Sequence, residues 1–519
     1  MRRPGLAIAM ALALGGCTVG PDFTPPHWAN PVSWFTGEPK AAHPEPSETV
    51  AAPVNVAWWS LFHDPRLTAL ERQVASNNFD VLTATARLAQ SRAQLGLARA
   101  AEFPTIGANG SYTRERASGH GIFSNLSPNA QGAGTPPGQS ANGAFGNSAG
   151  GPQSPTTEAP FDIYQYGFDA AWELDLWGQV RRSVESATAS VNASADARRA
   201  ALISALAEVA RDYIELRGVQ EQLRIARENV NTARQGLKLT QERAAAGVTT
   251  DLDVANAAAQ LRTTAAQIPA LQQQEHQFIN ALSFLLAKPP NALTRELAVP
   301  RPVPPVPPRV PVGFPSELAR RRPDIREAEA QLHAATANIG VAVAAYYPQV
   351  TLNGSFGFQA LDFGNLWTGA ARQYALGPSI SIPIFQGGQI RQTVVLRKAQ
   401  QQEAAIGYQR TVLAAWHDVD NALDAYRREQ QRRDQLIQAV ADNRRALALA
   451  QSRYQQGVAN FLDVLTAETN LLSTEQQLAS STTAVSANLV ALYKALGGGW
   501  ENTYPDTGPP HPPAVLGMR

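Results

Sequence analysis

The sequence predicts an α+β membrane protein that states one plan twice: helix, strand, loop, strand, long helix, glycine turn, helix. Three observations carry this. First, "RAAAGVTTDLDV" (Arg243 to Val254) returns 210 positions later as "RYQQGVANFLDV" (Arg453 to Val464), with Arg, Gly-Val and Leu-Asp-Val in register. Second, no proline falls between Gly178 and Gly247 or between Gly388 and Gly457, so each stretch reads as one helix of about 100 Å. Third, the segments ahead of those helices alternate apolar and polar residues over ~10 to 13 positions, the length of a tilted membrane-crossing strand.

At the N-terminus, residues 1–16 read as a lipoprotein signal peptide. Arg2 and Arg3 give the basic start, Leu6 to Leu14 the apolar run, and Gly15-Gly16 the small residues before Cys17. Cys17 is the only cysteine, which leaves no disulfide and no thiolate metal site and predicts a covalent lipid there. Residues 17–64 then read as a lipidated extended segment. No other stretch holds ~18 consecutive apolar residues, so any membrane span must be made of strands. A net charge of +1 offers no basic field for nucleic acid.

The first repeat covers 65–287: an opening helix from about Pro65 to Ala101, strands at about 104–113 and 161–176, and a long hairpin over 178–287 with its tip at Gly247. Between the strands, roughly Ala117 to Pro160 is a Gly/Ser/Asn-rich insert of the kind that forms exposed loops. Residues 288–315 are a Pro-rich connector. The second repeat covers 316–500, with a helix from about Pro323 to Ala345, strands at about 348–358 and 374–385, and a hairpin over 387–498 with its tip at Gly457; residues 501–519 form a tail.

From Tyr164 to Leu176 every even position is apolar, while Gln165, Gly167, Asp169, Glu173 and Asp175 lie between them, which turns Asp169, Glu173 and Asp175 towards a water-filled lumen. Val350, Leu352, Phe356 and Phe358 repeat the pattern, as do Leu376, Ile380, Ile382 and Ile384. Aromatics cluster at both strand ends, Phe103, Trp177, Tyr347 and Phe385 at one and Tyr112, Tyr164, Phe358 and Tyr374 at the other, like the girdles of an outer-membrane barrel. Four strands cannot close a barrel, and an open edge cannot face lipid, so the chain must oligomerise.

"GCTVGPDFTPP" (Gly16 to Pro26), "WWSLFHDPRL" (Trp58 to Leu67), "WELDLWGQVRR" (Trp172 to Arg182) and "RRPDIREAEAQLHAATANIGVAVAAYYPQVTLNGSFG" (Arg321 to Gly357) together resemble the outer membrane factor family, and within it the NodT-type lipoprotein branch of TolC-like efflux channels. The resemblance covers nearly the whole chain. It implies a homotrimeric 12-stranded transmembrane β-barrel, four strands per chain, with a long periplasmic α-helical barrel and a small equatorial domain. It implies an exit duct for small molecules, lipid-anchored in the outer membrane, working with a periplasmic adaptor and an inner-membrane transporter of the RND type. A protein-secretion channel on the same fold and a pore-free periplasmic scaffold are the alternatives.

Gly247 and Gly457 mark the hairpin turns, and the resemblance makes them, with Val248 and Val458, the surface that meets the adaptor. Asp253 and Asp463 have two readings: acids of a capping box begun by Thr250 or Asn460, or, by resemblance, a ring of carboxylates at a narrowing gate. Thr466 stands where TolC-like gates can carry a second acid. Arg243 and Arg453 read either as solvated helix ends or as clamps on neighbouring helices. The copies differ at Asp251, where the second has Phe461, so the two hairpins are expected to be unequal at the gate. Arg321-Arg322-Pro323-Asp324 reads as a helix start. The eight histidines have no metal-ligand spacing, no catalytic constellation appears, and no cofactor is expected.

Overall fold

The computed structural model describes residues 18–26, 47–116 and 160–505. Cys17, the signal peptide, the insert after Arg116 and the tail beyond Pro505 therefore lie outside the described residues. Two compact units share the chain: Met1–Gly20, Leu97–Arg182 and Gly340–Thr393 form one, and Pro21–Gly96, Ser183–Ile339 and Val394–Arg519 the other.

The first unit holds a four-stranded antiparallel sheet in the order β2-β3-β5-β6, made of β2 (Thr105–Glu115), β3 (Phe161–Leu174), β5 (Gln349–Ala360) and β6 (Arg372–Ser381). The alternation in sequence becomes two chemically distinct faces because the register pairs like with like. Tyr166 lies opposite Phe358, Phe168 opposite Phe356 and Trp172 opposite Leu352, while Gln165 meets Gln359 and Asp169 meets Ser355. Ile106, Leu376 and Ile380 continue the apolar face and are exposed, as is Phe168. On the other face Asn109 Nδ2 donates to Asp169 Oδ1 at 3.0 Å, and Thr351 and Ser379 share a hydrogen bond of 2.8 Å. At one end of the strands Tyr112 packs on Tyr164, ring centroids 4.9 Å apart, and Tyr164 on Phe363 at 5.5 Å. At the other end Trp177 stacks on Tyr347 at 4.7 Å and donates to the Pro348 carbonyl at 2.8 Å.

Two strand ends differ from expectation. β3 stops at Leu174, because the Asp175 carboxylate accepts from the Arg181 amide (2.9 Å) and guanidinium (3.3 Å) and turns the chain into the next helix. β6 stops at Ser381, two residues before Pro383, which has no N–H to donate to a ladder, so Ile382 and Ile384 lie past the strand. The "GCTVGPDF" motif acquires a packing reason here. Val19 N–H donates to the Trp177 carbonyl (3.2 Å), and Gly20, at φ +93°, lies against Gly340 so closely that a Cβ would sit 2.5 Å from the Gly340 Cα.

Helices dominate the second unit. In chain order they are α1 (Pro65–Asn77), α2 (Phe79–Ala100), α3 (Gln179–Ala245), α4 (Asp251–Leu285), α5 (Pro323–Ala344), α6 (Gln389–Gln455) and α7 (Phe461–Ala495). α3 and α6 are both 67 residues long and α4 and α7 both 35, so the sequence repeat is a repeat of helical hairpins. None of these helices is long and apolar enough to cross a membrane. α3 and α7 approach closely at Gly218, where a Cβ would lie 2.3 Å from Thr483 Oγ1.

The opening helix expected from Pro65 to Ala101 is broken at Asn78. Its side-chain oxygen accepts from the amides of Asp80 (2.9 Å) and Val81 (3.2 Å) to cap α2, and its Nδ2 donates to the Leu285 carbonyl (3.0 Å). The Pro-rich connector is not simply extended. Its residues Arg309–Pro311 (β4) pair in parallel with Glu48–Val50 (β1), and Thr294–Leu297 makes one helical turn.

Buried Trp58, stacked on Tyr493 at 5.8 Å, and Phe62 join the main core with Leu67, Leu206 and Leu489. Asp64 caps α1 and accepts from the Tyr213 hydroxyl at 2.7 Å; burial, then this bond, pushes the Tyr213 phenol up to about 12. Ser47 is held at a buried polar knot by the Gln430 side chain and the Tyr426 hydroxyl. The Arg322 of the "RRPD" motif ties α5 to α6 and α7 through Asp324 (2.6 Å), Asp418 (3.1 Å) and the Ala495 carbonyl (3.0 Å).

Candidate functional site at the hairpin tips

Both hairpins turn by the same device. Gly247 (φ +72°) and Gly457 (φ +76°) take the left-handed conformation that a side chain would strain. Gly247 N–H then reaches the Ala244 carbonyl and Val248 N–H the Arg243 carbonyl, each at 2.9 Å; Gly457 to Tyr454 and Val458 to Arg453 repeat this, each at 3.0 Å. This is the Schellman arrangement, which satisfies carbonyls the helix end would otherwise orphan. The residues after the glycines leave four apolar side chains exposed, Val248 and Leu252 on one tip and Val458 and Leu462 on the other.

The next helices start differently. Asn460 is a true N-cap, its side chain accepting from the Asp463 amide at 3.1 Å, one half of the expected capping box, and Asp463 is exposed. Thr250 makes no side-chain cap bond, contrary to the capping-box expectation. Thr249, one residue earlier, donates its hydroxyl to the Asp253 carboxylate instead, which leaves Asp253 half-buried and Asp251 exposed.

Arg243 crosses from the first hairpin to the second. Its Nη1 donates to the carbonyls of Tyr454 (3.0 Å) and Gln455 (3.3 Å), the last turn of α6, and its guanidinium lies 4.6 Å from the Tyr454 ring centroid. A cation at a helix C-terminus is favoured by the dipole as well as by the bonds. Arg453, its repeat equivalent, is exposed. Tyr454 itself is buried and meets Phe461 edge-on at 5.6 Å, in a cluster with Ala257, Val440, Leu447 and Leu471.

The structure thus brings Arg243 to the second tip and keeps Asp251, Asp253 and Asp463 within their own turns. From sequence, Phe461 is named only as the counterpart of Asp251, and Tyr454 and Thr249 are not named. The available signal was the repeat: Tyr454 and Phe461 answer Ala244 and Asp251, and aromatics are scarce in these Ala/Gln-rich helices. On the sheet, Asp169 is bonded to Asn109 on the polar face and Glu173 shares that face, whereas Asp175 lies past the strand end, where it anchors Arg181. Among the described residues no group of His, Cys, Asp and Glu is arranged to hold a metal ion.

Four strands and two long hairpins with glycine tips make up the described fold. The pattern of the family described as outer membrane efflux protein matches residues 70–288 and 314–498, and the chain belongs to that family. It is 32% identical over 520 residues to the probable efflux pump outer membrane protein TtgC of Pseudomonas putida, covering 98% of this chain and 97% of that one. It is 31% identical over 514 residues to outer membrane protein OprJ of Pseudomonas aeruginosa, covering 96% and 97%. Among solved structures it is similar to the outer-membrane channel OprN, with a TM-score of 0.81, 33% identity and coverage of 93% of this chain and 100% of that one.

Proposed function

We propose that the protein is the outer-membrane duct of a tripartite efflux pump, a passive exit for small molecules. In this reading three copies, each giving four strands, close a 12-stranded barrel. Cys17 carries the lipid anchor, and the long helices line a periplasmic tunnel. A periplasmic adaptor meets the Gly247-Val248 and Gly457-Val458 turns, and an inner-membrane transporter of the RND type supplies the energy. The carrying observation is the sheet: its apolar face is exposed along all four strands, and β2 and β6 are edges within the chain, a combination that lipid tolerates only after closure with other copies. The relatives support the pump reading, since they include proteins named as efflux pump outer membrane proteins.

The tips act as the gate, with Arg243 holding the first hairpin to the last turn of the second and Asp463 presenting an exposed carboxylate. Asp253 is tied into its turn, so any acidic ring draws mainly on Asp463. Full-length lipidated protein reconstituted in planar bilayers tests this: trimers with a small resting conductance are expected. Monomers, or trimers without conductance, would overturn the duct.

A further inference from the structure

Glu468 sits at an unusual place for a carboxyl. It lies two turns into α7 from the tip, is only 9% exposed, and reaches across the seam between the hairpins: a Cβ built on Gly236 of α3 would meet its Oε1 at 3.7 Å. Gly236 is a mid-helix glycine, which costs about 1 kcal/mol against alanine, and the second copy has Ala446 there. At the position of the carboxyl the first copy has Ala258 where the second has Glu468. The acid is thus present in the second hairpin alone, and the residue of α3 that it meets is the smallest available.

Among the described residues no cation pairs with it. The residues that α3, α4 and α6 contribute to this part of the seam include Gly236, Thr240, Ala257, Leu447, Gln451 and Tyr454, of which only the Tyr454 phenol titrates, and the half-buried Arg243 of α3 lies 4.6 Å from the Tyr454 ring with its Nη1 donating to the Tyr454 and Gln455 carbonyls. Arg234, Lys238, Arg262, Arg444, Arg445 and Arg453 on the same helices are exposed, and Arg444 is already bound to Glu475 at 2.7 Å. Burial raises the Glu468 carboxyl above the usual range, opposed only by a hydrogen bond with Gln451.

We infer that Glu468 makes gate closure proton-dependent: the closed seam between the hairpins favours its protonated form more than water does, and separation of the hairpins lets it release that proton to periplasmic water. The sign follows from linkage. The closed state has the raised carboxyl and so holds the proton more tightly than the open one; closure is favoured at low pH, and that advantage is lost as pH rises through the raised value. This rests on the reading of the tips as a gate.

The test is resting conductance of the reconstituted full-length channel between pH 5 and pH 8. Wild type should conduct more as pH rises, by at most ~tenfold per pH unit for each titrating carboxyl. E468Q should be flat and low across the range, while E468D, which keeps an acid, should retain a slope. An E468Q channel with the wild-type slope, or a flat wild type, overturns the inference, and if E468Q does not assemble, the slopes of wild type and E468D decide it. The two readings fail separately: a channel opened by R243A whose pH response ignores residue 468 overturns the proton step and leaves the gate standing.

Discussion

The two hairpin tips share their turn geometry and differ in almost everything that holds them. Around Gly247 the turn is polar, with Asp251 exposed and Asp253 bound by Thr249. Around Gly457 it is built on a buried aromatic pair, Tyr454 and Phe461, with Asn460 as a side-chain cap. The one strong link between them runs one way, from Arg243 to the α6 carbonyls. Duplication preserved the backbone device, since only a left-handed residue closes the turn, while the side chains were left to diverge into a supported tip and a clasping one.

The largest way to break this contrast is to make the second tip resemble the first. Phe461→Asp removes an aromatic whose truncation alone costs about 3–5 kcal/mol and places a charge in the apolar cluster, so the second tip should loosen and resting conductance rise sharply. The reciprocal Asp251→Phe, at an exposed site, should change stability by less than about 0.5 kcal/mol. Equal effects of the two swaps on thermal unfolding and conductance would show that the tips are equivalent after all.

A middle-sized effect is expected at the clasp. Arg243→Ala removes charge-assisted bonds from a half-buried site, worth about 1–2 kcal/mol after allowance for solvent, and should raise the open fraction, whereas Arg453→Ala should leave it near wild type. Single-channel recording of the two variants side by side reads this directly. If Arg453→Ala opens the channel as much, the asymmetry lies elsewhere.

The smallest concerns the acids. Asp463→Ala should lower cation preference, with a stability change of only about 0.3–1 kcal/mol, because Asn460 and not Asp463 supplies the side-chain cap. Asp253→Ala should instead free Thr249 and disturb the turn more than the permeation. Reversal potentials in asymmetric salt, measured for both, separate the roles; unchanged selectivity in Asp463→Ala would reduce that residue to a helix-dipole acid.

What the chain's own order of residues determined was everything set by local period. Strand alternation places Phe168 and Asp169 on opposite faces, proline-free Ala/Gln-rich runs make helices of 67 residues, and Gly247 and Gly457 form the turns just past their ends. Tertiary structure decided the rest, because each remaining feature needs a partner far along the chain. Asn78 caps α2 locally, but its Nδ2 finds a carbonyl only at Leu285, 207 positions away; the Arg243 clasp needs Tyr454 at a separation of 211; and Ser47 needs Gln430 at 383. Hydrophobic period specifies which face is covered, but which polar group finds a donor or acceptor is fixed only when packing brings distant backbone within hydrogen-bond reach.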